Sequence, residues 1–132
     1  MTPPGGRVLV VDDEPLIGRV LHTALKGEHE VVVVSRAAEA LMLLEEDATF
    51  DVVLCDLVMP DISGPEFYAK VNEQWPRLAS RVVFMSGGAF TPGAREFLET
   101  TSNRRIDKPI DTTRLRRLVE ESVAQAGEAQ SR

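Results

Sequence analysis

Three carboxylates, a hydroxyl and an ammonium stand at the ends of short apolar runs in this 132-residue chain. Asp12 and Asp13 follow VLVV at 8–11, Asp56 follows VVLC at 52–55, Ser86 follows VVFM at 82–85, and Lys108-Pro109 follows Arg105-Ile106-Asp107. Carboxylates brought together repel one another unless a cation lies among them. An all-oxygen set suits Mg²⁺ (or Mn²⁺), a hard ion that keeps part of its hydration shell. Such an ion orients and partly neutralises a phosphoryl group, and an aspartate can attack phosphorus to form an acyl phosphate. Asp56 is the better placed nucleophile, because its strand end opens into the loop Val58-Met59-Pro60-Asp61. Lys108 supplies fixed positive charge for phosphoryl oxygens, and Ser86 a hydroxyl donor. Ser86-Gly87-Gly88 also has the composition of an anion nest. Singly, each residue has a plain structural reading, as a helix cap, a turn serine or a surface lysine. Their succession at strand ends favours one shared site.

The elements that must position them are legible as alternating patterns. Arg7–Asp12, Glu30–Ser35, Asp51–Asp56 and Arg81–Ser86 are short, continuously apolar and mostly β-branched. That pattern predicts strands covered on both faces, as in a parallel sheet. A weaker fifth strand is expected over Arg104–Asp107. Helical periodicity fills the gaps, with apolar stripes through Leu16 to Leu25, Ala37 to Glu46, Pro65 to Trp75, Thr91 to Leu98, and Asp111 or Thr112 to Val123. Five strands alternating with five helices predict a doubly wound α/β fold, whose ligand site lies outside the carboxyl ends of the strands. Residues 1–6 read as a Pro/Gly-rich arm, 7–126 as the domain, and 127–132 as a frayed polar tail.

Composition is that of a single globular domain, with 43% hydrophobic and 27% charged residues. No apolar run reaches a membrane span, and no signal peptide opens the chain. The single Cys55 excludes an internal disulfide and suits a reducing cytoplasm. The net charge of −6 argues against direct nucleic-acid binding. It is also uneven: residues 1–66 carry 4 basic and 13 acidic side chains, residues 67–132 carry 11 and 8. An acidic site built early and a basic partner face built late, including Arg104, Arg105, Arg114, Arg116 and Arg117, would produce that split.

VLVVDDEP at 8–15, DVVLCDLVMPDISG at 51–64, MSGG at 85–88 and DKPI at 107–110 together resemble the receiver domains of two-component response regulators, over about Arg7 to Ala126. The resemblance implies a flavodoxin-like five-stranded parallel sheet of order 2-1-3-4-5 and phosphorylation of Asp56 by a histidine kinase or histidine phosphotransfer domain. It implies that Asp13, Asp56 and the Val58 carbonyl hold Mg²⁺, with Asp12 helping through water. It also implies that Lys108 pairs with the phosphoryl group, and that Ser86 swings towards it with Gly87 beside it. The face of the fourth helix, fifth strand and fifth helix then shifts to meet an output partner. By the same likeness the chain is not an enzyme, beyond assisting its own phosphorylation and dephosphorylation. Arg105 departs from the pattern, standing where many receivers carry the aromatic half of the switch. Val58 is apolar where a polar side chain often places water, which implies slow loss of phosphate. The stretch 87–108 and the Pro/Gly start resemble receivers of hybrid histidine kinases.

Lys108-Pro109 admits a cis bond that would aim the lysine inward. Cys55 is expected on the sheet face opposite Asp56. His22 and His29 are expected in solvent, and Phe67, Tyr68 and Trp75 in packing. No nucleotide-binding glycine motif appears. One rival reading is a pseudo-receiver scaffold that keeps the fold without switching. Another is an aspartyl-phosphate hydrolase, which the absence of an Asp-x-Asp pair at Asp56 opposes.

Overall fold

A computed structural model describes residues 5–87 and 91–130. Its strands are β1 (Arg7–Val11), β2 (Glu30–Val34), β3 (Val52–Asp56), β4 (Val82–Ser86) and β5 (Arg105–Asp107). They form one parallel sheet in the order β2-β1-β3-β4-β5. The helices are α1 (Pro15–Leu25), α2 (Ala37–Glu46), α3 (Gly64–Gln74), α4 (Pro76–Ala79), α5 (Pro92–Thr100) and α6 (Thr112–Gln130). This is the flavodoxin-like order expected.

Side-chain alternation splits the sheet into two cores. Leu9, Val11, Val53, Cys55 and Phe84 pack with Ala40 of α2, Phe67 and Val71 of α3 and Ala94 of α5. Val8, Val10, Leu54, Met85 and Ile106 pack with Leu21 and Leu25 of α1 and Leu115 and Val119 of α6. A strand buried on both faces needs apolar residues at every position, which explains the unbroken apolar runs of β1, β3 and β4. Strand β2, expected to be covered likewise, is an edge strand with Val33 39% exposed. Tyr68, Phe84 and Phe97 extend the first core as three tilted or edge-on rings, with centroids 4.9–5.9 Å apart. Local chemistry starts the helices. Ser63 and Glu66 form a reciprocal capping box on α3, Thr91 accepts from Ala94 N–H, and Asp111 accepts from Thr113 and Arg114 N–H.

Four expectations need correction. There are six helices rather than five, because the residue before a proline disfavours helical backbone. Trp75, at φ −135° and ψ 69°, ends α3, and Pro76 starts the one-turn α4. The tail expected to fray from residue 127 continues α6 to Gln130, because small and polar residues do not by themselves end a helix. Gly6, placed in the arm, is tied down: its N–H donates to His29 Nδ1 at 3.0 Å, and its carbonyl accepts from Glu30 N–H at 3.0 Å. His29 is accordingly buried rather than solvated. His22 is exposed as expected. The rest of the arm before Gly5, Gly88, and residues 131–132 lie outside the described residues. Among the described residues no helix is long and apolar enough to cross a membrane.

Candidate functional site

The sheet register brings the strand ends together. Val11 lies opposite Cys55, Asp56 opposite Met85, and Ser86 opposite Asp107. The residues that follow these ends therefore share one rim. Lys108 N–H donates to Ser86 carbonyl at 2.7 Å, tying β5 to β4 just below the lysine side chain. The Lys108-Pro109 bond is cis.

Carboxylate oxygens of Asp12, Asp13 and Asp56 lie within 4.8 Å of one another. Lys108 Nζ stands 3.2 Å from Asp12 Oδ2 and 3.4 Å from Asp56 Oδ2, with Glu14 Oε1 at 3.6 Å. The Asp12 side chain is fully buried and that of Asp56 is 9% exposed, whereas Asp13 faces solvent. Asp12 Oδ1 accepts from Glu14 N–H at 2.9 Å, a turn bond just ahead of α1. The N-cap of α1 is Glu14 and carries no side-chain cap bond, so the helix-cap reading of Asp12 does not hold. The other Asp12 oxygen, Oδ2, is buried without a properly aligned hydrogen bond.

Electrostatics follow from that burial. Desolvation raises the Asp12 carboxyl above its ordinary range, against the Glu14 N–H and Lys108. Desolvation, then the neighbouring Asp12 charge, raises Asp56 to about 6. Burial works to lower Lys108, but Asp56 and Asp12 outweigh it and hold the ammonium above its ordinary value. One ammonium is thus shared by carboxylates that repel each other. Hard oxygens in this number, one of them buried without a hydrogen bond, fit a divalent cation such as Mg²⁺.

Residues 8–120 match the family model described as the response regulator receiver domain. The chain belongs to that family. The receiver is 40% identical over 83 residues to the hydrogenase transcriptional regulatory protein HoxA of Cupriavidus necator, a match covering 63% of this chain but only 17% of that protein. It is 30% identical over 115 residues to an uncharacterised 14.6 kDa protein of Leptolyngbya boryana, covering 86% of this chain and 87% of that one. A response regulator receiver domain protein from Clostridium thermocellum shares the fold, with a TM-score of 0.81 at 23% identity over 93% of this chain and 98% of that chain. Receiver domains bind Mg²⁺ in an acidic pocket and interact with histidine kinases or phosphotransfer proteins, and this chain has an acidic cluster of Asp12, Asp13 and Asp56.

Of the residues singled out in the sequence, Asp12, Asp13, Asp56 and Lys108 come together directly. Ser86 is buried at the same rim, its Oγ donating to Gly87 carbonyl at 3.1 Å. Val58 N–H lies 3.5 Å from Asp56 Oδ1, and the Val58 side chain is 51% exposed. Gly87 and Arg105 are both exposed, and Arg105 pairs in register with Phe84. Cys55 is buried in the first core, and burial pushes its thiol well above the usual range.

Three contributors escaped the sequence reading. Glu14 adds a third carboxylate at Lys108. Gly64 donates its N–H to Leu57 carbonyl, and a Cβ there would lie 2.8 Å from Leu57 Cα and 3.0 Å from Asp56 carbonyl. Asp61 Oδ2 accepts from Ala38 N–H at 3.1 Å, fastening the loop after Asp56 to the start of α2. An acid beside Asp13 was the only advance signal for the first. A glycine after a serine cap was the signal for the second, and the third spans 23 residues without one.

Proposed function

We propose that this receiver accepts a phosphoryl group on Asp56 from the phosphohistidine of a histidine kinase or histidine phosphotransfer domain. The observation that carries the reading is the single ammonium of Lys108 standing between buried Asp12 and Asp56 at the strand-end rim. Asp56 oxygen bonds to phosphorus as the phosphorus–nitrogen bond to imidazole breaks, and the imidazole departs with the bonding electrons. Lys108 pairs with the phosphoryl oxygens, and the Ser86 hydroxyl turns from Gly87 carbonyl to donate to one of them. Asp12, Asp13, Asp56 and the Val58 carbonyl are the groups that would hold Mg²⁺ or Mn²⁺, whose charge offsets the carboxylates and orients the phosphoryl oxygens.

Ser86 ends β4, so its movement acts on the segment leading into α5, and the face of α5, β5 and α6 is the readout surface. Arg105 leaves that switch without an aromatic partner. The same residue favours a second reading, a scaffold that keeps the fold without switching. The site itself is not an enzyme active site; it assists only its own phosphorylation and dephosphorylation. A cytoplasmic location, and a parent chain related to hybrid sensor histidine kinases, belong to this proposal. The latter rests on the likeness of residues 87–108.

Incubation with Mg²⁺ and acetyl phosphate tests the reading by intact mass. A single phosphoryl adduct, abolished in Asp56→Asn, is expected. No adduct together with no Mg²⁺ affinity establishes the scaffold, and rapid acetyl phosphate turnover without a lasting adduct establishes a hydrolase.

A further inference from the structure

A second concentration of charge lies at the opposite end of the sheet. Val82 and Val83 begin β4, and Arg104 precedes β5, so a cavity of about 450 Å³ opens at the amino ends of these strands. Arg77, Arg81 and Arg104 line it together with Ser80, Asn103 and Ser122, and among the described residues no acidic one does. Three arginines without an interleaved acid are unusual company in a chain of net charge −6. Of the three, only Arg104 has a carboxylate partner among the described residues, exposed Glu121 at 3.6 Å.

Two of the guanidinium groups are held in place, while Arg77 is exposed. Arg81 donates from Nη1 to Phe50 carbonyl at 3.3 Å, and Arg104 from Nη1 to the buried Ser122 hydroxyl at 3.2 Å. A guanidinium carries five N–H donors, so each retains donors for a ligand. Asn103 stiffens the wall, its Nδ2 donating to Ala79 and Val82 carbonyls at 2.8 Å each. A neighbouring cavity of about 420 Å³ shares Arg77 and Arg81 and is bordered by Trp75 and Pro76. Both volumes lie in the range of small-molecule sites. Arginine forks match phosphate oxygens, and the indole and proline offer an apolar wall to a planar group.

We propose that these adjoining cavities bind a small organic phosphate of nucleotide size, its phosphates on Arg77, Arg81 and Arg104 and its planar part against Trp75. The proposal is independent of phosphorylation at Asp56. Calorimetric titration of the full chain with ADP, in EDTA, tests it beside pyrophosphate and adenosine as separate probes. ADP is expected to bind with a dissociation constant below ~1 mM, and more tightly than either probe alone. Arg77→Gln and Arg104→Gln are each expected to weaken it about tenfold, with unchanged amide spectra confirming that both variants fold. ADP is expected to shift the amide signals of Asn103 and Ser122 and to leave Asp12 and Asp56 unmoved. Absence of ADP binding, equal affinity in the arginine variants, signals moving at Asp12 and Asp56 instead, or pyrophosphate binding as tightly as ADP would each overturn the assignment.

Discussion

At the residue scale, the site is a conflict of charges held in place by the fold. Asp12 and Asp56 are both raised by burial, and among the described residues Lys108 is the one cation paired with both. Carboxylates that ionise at a cost in the metal-free protein lose that cost when a cation joins them, so cation binding and stability are linked. Mg²⁺ at about 100 times its dissociation constant is expected to stabilise the protein by about 2.7 kcal/mol. Thermal melts with Mg²⁺ and with EDTA measure this, and Asp13→Asn, at an exposed position, is expected to remove most of the shift while leaving the fold intact. Asp61 behaves in the opposite sense. Slight burial works to raise its carboxyl, but N–H groups of Ala38 and Ile62 outweigh it and hold it below its ordinary 3.8. A depressed acid stabilises the fold above its unfolded value, and that contribution is lost as pH falls through the folded value. Asp61→Ala is therefore expected to cost about 0.5–1 kcal/mol at pH 7, because the group is a solvent-screened helix cap. The difference in melting temperature from the parent protein is expected to shrink as pH falls below 3.8. A constant difference across that range would remove the cap from the account.

At the scale of elements, the loop between β3 and α3 depends on one close approach. Gly64 begins α3 with its backbone against Asp56 and Leu57, and no side chain fits between them. Gly64→Ala is expected to displace this loop, cost about 1–3 kcal/mol in denaturant unfolding, and slow adduct formation with acetyl phosphate. An unfolding cost without slower phosphorylation would show that the loop adjusts away from Asp56. On the sheet's other edge, β5 has only three residues. It is anchored by Lys108 N–H on Ser86 carbonyl and by Asn103 on the backbone before β4 and at its start. Those bonds hold in place the strand that carries Lys108 and Arg105.

At the scale of the whole molecule, stability resides in the two cores, while exposed apolar residues contribute little. Leu54 is fully buried at the sheet centre, whereas Leu16 of α1 is 65% exposed although it belongs to the same apolar stripe as buried Leu21. Leu54→Ala is expected to cost about 2–5 kcal/mol. Leu16→Ala should stay within about 0.5 kcal/mol, and urea unfolding distinguishes the two. Charge is also sorted over the whole molecule. Asp12, Asp13 and Asp56 gather beyond the carboxyl ends of the strands, and Arg77, Arg81 and Arg104 gather near the amino ends of β4 and β5. Three acids of the first half and three arginines of the second thus stand at opposite ends of one sheet, with Lys108 the late base that crosses to the acidic end.

The unbroken runs around Val10, Leu54 and Phe84 determined the strands, because a strand covered on both faces must be apolar at every position. Parallel strands then required their polar ends to collect on one rim, so Asp12, Asp13, Asp56, Ser86 and Lys108 were legible as a set before any coordinate. Periodicity also placed Cys55 on the far face from Asp56, since neighbouring residues of a strand point oppositely. Contacts between residues distant in sequence carry no local signature, and these only the tertiary structure decided. It gave Asp61 to Ala38, closed Gly64 against Asp56, buried His29 beneath Gly6, and set Arg77 and Arg81 beside Arg104. Local patterns report which face of an element is buried; which partner it meets depends on how the elements pack.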